Sequence, residues 1–127
     1  MLQSKLNNPS SEPTHMQEPA RVAGAFEELV REIGQDGASE VRAVFWSDTD
    51  TRLVRLRELD LAAQRTRIER EAHSLKSTAR TFGYLRLAAL ALELERSAAA
   101  LDAAGHDALL TAMEAAYAAA RAQEPQI

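Results

Sequence analysis

Between Pro19 and Pro125 the chain contains no proline. A proline inside a helix removes a hydrogen bond and clashes with the preceding turn, so this long stretch is open to helices that run without interruption. The remaining prolines, Pro9 and Pro13, belong to a leading segment with Asn7-Asn8 and Ser10-Ser11 and no sustained periodicity. Residues 1–18 therefore read as a disordered lead-in that cannot bury enough apolar surface to order itself. Behind it, apolar residues recur every three or four positions. No run of alternating Val, Ile and Thr, and no Asn-Gly or Asp-Gly pair, signals a strand or hairpin.

The spacing predicts a short helix over Arg21 to Ile33, with Val22, Phe26, Val30 and Ile33 on one face and Gly34 as its stop. A second helix follows from an N-cap at Asp36, its apolar face built from Val41, Val44, Phe45, Leu53, Leu56 and Leu59. Ser47-Asp48-Thr49-Asp50 are poor helix formers, but neither Gly nor Pro enforces a break, so continuity is expected. Trp46 is expected to pack under the first helix. After a turn at Ala62 to Gln64, the third helix carries Ile68, Ala72, Leu75, Ala79 and Phe82 and ends at Gly83. The fourth carries Tyr84, Leu87, Ala91, Leu94, Ala98 and Leu101 and ends at Gly105. The fifth starts from an Asp107 cap and presents Leu110, Met113, Tyr117 and Ala120. The expectation is an all-α protein, an antiparallel up-down four-helix bundle with a short additional N-terminal helix, over residues 19–123, with 124–127 as a tail.

Composition narrows the chemistry. With 127 residues, 46% of them hydrophobic, there is room for one modest core but not for separate cofactor and substrate domains. The absence of cysteine removes disulfides and thiolate metal sites, and His15, His73 and His106 have no zinc-ligand spacing, so no metal and no cofactor are expected. The chain also lacks a Gly-rich nucleotide loop. No apolar run is long enough to span a bilayer and the polar start does not resemble an export signal, which makes the cytoplasm the expected location, without membrane contact. A net charge of −4 argues against nucleic-acid binding. Yet Arg65, Arg67, Arg70, Lys76, Arg80 and Arg86 outnumber Glu69 and Glu71 in one segment, a local basic face suited to an acidic partner.

His73 lies off the apolar stripe of its helix. Within about 60° of it around the helix are Thr66, Glu69, Arg70, Lys76, Ser77 and Arg80, a polar and mostly basic face. An exposed neutral imidazole is a nucleophile near pH 7 and can accept a phosphoryl group. Transfer of that group requires a cation to neutralise its oxygens, and Lys76 at i+3 is placed to do so. Glu69 at i−4 could pair with His73 or be solvated. His15 and His106 have no patterned neighbourhood and read as surface residues.

The run Ala72-His73-Ser74-Leu75-Lys76-Ser77, with Gly83 behind it and Leu87-Ala88-Ala89-Leu90 and Leu94-Glu95 after that, resembles the histidine-containing phosphotransfer (HPt) domain of bacterial phosphorelays. The resemblance covers about residues 21 to 122. It implies a four-helix bundle whose exposed histidine accepts a phosphoryl group from a receiver-domain aspartyl phosphate and passes it to another receiver aspartate. By that resemblance His73 is the phosphorylated residue, Lys76 the phosphate-stabilising cation and Gly83 the turn closing the helix. Glu69, Arg70, Ser77, Arg80 and Gly83 form the docking surface. The implied partners are receiver domains of hybrid histidine kinases and response regulators, which would supply the magnesium; a monomer is expected. Ser77 departs from the family pattern, which usually has glycine there, but is small enough to preserve docking. The alternative is a helical-bundle adaptor that binds receivers without phosphotransfer.

Overall fold

The computed structural model describes residues 17–124, and among these the regular structure is helical, with no strand. Five helices follow one another: α1 (Ala23–Ile33), α2 (Gln35–Glu58), α3 (Arg65–Thr81), α4 (Leu85–Ser97) and α5 (Ala103–Ala122). The expectations for residues 1–16 and for Pro125 to Ile127 lie outside the described residues. Glu124, which the periodicity assigns to the tail, is buried.

α2 runs unbroken through Ser47 to Asp50, as expected, but its inner face differs from the one drawn from apolar residues alone. The buried positions are Ala38, Arg42, Phe45, Thr49, Leu53 and Leu56, while Val41 and Val44 point outward. Two of the inward positions are polar, so a count of hydrophobic side chains selects the wrong stripe at the start of the helix. Arg42 is tolerated inside because its guanidinium lies 4.1 Å from the ring centre of Phe26 and 5.0 Å from that of Trp46, and donates to Glu124. Val22 and Ile33 are likewise exposed, which leaves Phe26 as the anchor of α1.

Three helix boundaries also move. α2 starts at Gln35 directly after Gly34, whose φ of 87° makes the corner between α1 and α2, so Asp36 is inside the first turn and is not the cap. α5 starts at Ala103, because the Asp102 carboxylate accepts the Gly105 N–H at 2.8 Å and caps the helix five residues before the expected Asp107 cap. Gly105 and Asp107 are therefore helical. α4 accordingly stops at Ser97. His106, expected on the surface, is 8% exposed, and its Nε2 has no hydrogen-bond partner.

The core is a continuous cluster of side chains from all five helices, with Ile68, Ala72, Leu75 and Ala79 of α3 completely covered. Cross-links place the helix ends. Arg65 at the start of α3 donates to the carbonyls of Ala98 and Leu101 beyond the end of α4. Arg57 at the end of α2 donates to Asp107 in the first half of α5 and to Glu114 beyond its midpoint. At the opposite end, Glu124 accepts from Arg42 of α2 and from the Tyr84 hydroxyl, and pairs with Arg21. Burial together with the bond to the Glu124 carboxylate raises the pKa of the Tyr84 phenol, which therefore stays a donor.

Candidate functional site

The site is assembled on α3 and α4, which form a tight hairpin. α3 ends in a Schellman motif: Tyr84 N–H donates to the Ala79 carbonyl at 2.9 Å and Gly83 N–H to that of Arg80 at 3.0 Å. Gly83 takes the left-handed conformation, with φ of 77°, that this turn requires. The preceding chain lies over the turn. Val22 N–H donates to the Gly83 carbonyl, and Arg86 donates from its backbone N–H to Pro19 and from Nε to the carbonyl of Glu18. With Gly83 pinned in this way, α3 and α4 return side by side, and residues nearly equally distant from the turn face each other.

His73 and Glu95 are such a pair. The His73 side chain is 63% exposed, and its Nδ1 lies 2.8 Å from Glu95 Oε2. A carboxylate only accepts, so on a neutral ring the proton sits on Nδ1 and the lone pair of Nε2 is left free. The same carboxylate accepts from Lys76 Nζ through its other oxygen, also at 2.8 Å. Glu95 thus bridges the imidazole and the ammonium. The Lys76 ammonium first, and the His73 ring second, hold the Glu95 carboxyl below its ordinary value. A depressed carboxylate pKa means that the bridge persists below the ordinary carboxylate range and is lost only as pH falls through the lowered value. The expected result of a ¹³C NMR titration is a Glu95 midpoint below that of an ordinary glutamate in the native protein, moving upward in Lys76→Ala; equal midpoints in the two proteins would contradict the bridge.

Glu95 is the functional candidate that sequence reasoning passed over. It was visible as the end of the Leu94-Glu95 pair, but its role depends on folding the hairpin about Gly83, and helical periodicity within one segment carries no such information. The other candidates separate into two groups. An open cleft beside the ring is lined by Thr66, Glu69, Arg70, His73, Ser74 and Glu95. Glu69 makes no ion pair with His73, whose partner is Glu95. Ser77 and Arg80 are exposed further along α3 and do not line the cleft; Gly83 is buried in the turn. Among the described residues no group of His, Cys, Asp and Glu is arranged to hold a metal ion, and no helix is long and apolar enough to cross a membrane.

Chemically, the arrangement offers one solvent-facing nitrogen nucleophile whose tautomer is set by a carboxylate, with a lysine on that carboxylate. The model of one protein family, described as the Hpt domain, matches residues 40–123. No curated protein and no solved structure matches the chain.

Proposed function

The chain belongs to the Hpt domain family, and on that premise we propose that His73 is its phosphoryl carrier. Membership gives the chain a general role in phosphorelay histidine phosphotransfer. The observation that carries the assignment of the residue is the Glu95 contact to Nδ1, which leaves Nε2 free on an exposed ring. In this reading the helices form an antiparallel up-down four-helix bundle with α1 across one end, acting as a monomer in the cytoplasm.

The Nε2 lone pair attacks the phosphorus of an aspartyl phosphate on a receiver domain. The N–P bond forms as the P–O bond to the aspartate breaks, and the carboxylate leaves with the electron pair. No proton need move, because the ring proton stays on Nδ1 against Glu95. Lys76 neutralises the phosphoryl oxygens while tethered to Glu95, and the reverse step hands the group to a second receiver aspartate. The donors and acceptors are receiver domains of hybrid histidine kinases and response regulators. These partners supply the aspartate and the magnesium, and the chain brings no cofactor of its own. Glu69, Arg70, Ser77 and Arg80 provide the docking surface, which Gly83 holds in register.

The test is transfer of radiolabel from a phosphorylated, magnesium-loaded receiver to the purified protein. Labelling is expected with the wild type, slowed on the order of tenfold by Lys76→Ala through loss of one charge-assisted contact. Complex formation without labelling, unaffected by substitution of His73, would support a non-transferring adaptor instead.

A further inference from the structure

The cation one turn after His73 is already engaged. Lys76 Nζ is held by Glu95 and its side chain is 15% exposed, and it does not line the cleft beside the imidazole. The cation that does line this cleft is Arg70. Most arginines of the described chain are committed. Arg52 and Arg55 pair with Glu71, Arg57 with Asp107 and Glu114, and Arg21 and Arg42 with Glu124. Arg70 forms no hydrogen bond or ion pair among the described residues, and it is exposed.

Direction along the helix adds a second argument. Side chains on an α-helix lean toward its N-terminus, so the His73 ring leans over the turn that carries Glu69 and Arg70. With Nδ1 fixed on Glu95, a group on Nε2 extends into the space that the Arg70 guanidinium borders. Glu69 borders the same space and would repel an anion. As its sequence neighbour it does not face Arg70 across the helix, and so it leaves the guanidinium uncompensated. Resting on the reading of His73 as the carrier, we propose that Arg70 is a direct ligand of the phosphoryl group on Nε2. It offers two N–H donors to two phosphoryl oxygens, in the fork geometry that suits phosphate. Lys76 and Arg70 then hold the group from opposite sides, one through a tethered ammonium and one through a guanidinium recruited only on phosphorylation.

Phosphoramidate, a small donor, tests this without a partner protein. The Nε2 lone pair forms the N–P bond, the P–N bond to the leaving group breaks, ammonia departs after protonation by water, and the ring keeps its Nδ1 proton. Two measurements are expected to agree. In ¹⁵N NMR of the loaded protein the Arg70 Nε–H signal shifts and becomes protected from exchange, while that of Arg67, exposed on the same helix, does not move. The loading rate falls about tenfold in R70Q, the loss expected for a charge-assisted bidentate contact, and is unchanged in R67Q. An unmoved Arg70 signal in phosphorylated protein, or wild-type loading of R70Q, overturns the proposal while leaving the carrier reading intact. If the wild type takes up no phosphate, or His73→Gln takes up as much, the carrier reading itself fails.

Discussion

Replacing His73 with glutamine is expected to abolish phosphoryl uptake from a receiver while leaving the helical fold unchanged. The amide nitrogen of glutamine has no available lone pair, so no N–P bond can form at this position. His106, the other imidazole among the described residues, is 8% exposed and carries its unpartnered Nε2 in the interior, where a receiver aspartate cannot reach it. The His73 side chain is 63% exposed and contributes nothing to the core, so unfolding free energy should change by less than about 0.5 kcal/mol. Radiolabel assays, with urea denaturation followed by circular dichroism alongside, check both halves. Label retained on the variant would move the acceptor away from α3 and sink the proposed function.

Gly83→Ala has the largest expected effect on stability. The left-handed backbone costs an alanine about 1–2 kcal/mol. The new Cβ would also stand 2.6 Å from the Val22 carbonyl oxygen and 2.8 Å from the Ala25 Cβ, neither of which is the flexible end of a side chain. Relief requires moving the chain that crosses the turn, an overpacking cost of about 1–3 kcal/mol. Together these give a loss of about 2–5 kcal/mol, a large share of the stability of a domain this size. Gly24→Ala is the internal control. It lies in α1 with nothing within 4 Å of the added methyl, so there the helix preference of alanine acts alone and stability should be unchanged or rise by up to about 1 kcal/mol. Equal midpoints for the two variants would show that the crossing chain does not restrain the turn.

The sequence was most legible where one physical signal dominated. α3 carries its stripe on Ile68, Ala72, Leu75 and Ala79, all fully covered, and the glycine behind it does close the helix. The errors arose where a polar residue did the work of an apolar one. Arg42 occupies an inward position of α2 because the rings of Phe26 and Trp46 and the Glu124 carboxylate compensate it, and Phe26 and Glu124 are distant from it in sequence; Thr49 is the second polar residue on that inward face. The α5 start was displaced because an Asp102 cap is a hydrogen bond and leaves no mark on periodicity. The site was half legible for the same reason. His73 and Lys76 share a helix face, whereas Glu95 belongs to the next helix and comes into reach only through the register that Gly83 fixes.

Glu124 pairs with Arg21 at 3.0 Å, so the two ends of the described chain meet beside the α3–α4 turn. That turn is about 15 Å along α3 from the imidazole, given the rise of a helix over the intervening residues. In connectivity, the path from Arg21 to Glu124 is a ring with a single gap, and the gap is bridged by an ion pair instead of a peptide bond. Covalent closure there would reorder no contact of His73, Lys76 or Glu95. The segment between α2 and α3, where Asp60, Ala62, Ala63 and Gln64 are exposed, is the natural place to open the ring instead. The order in which the helices are joined is thus separable from the surface they present.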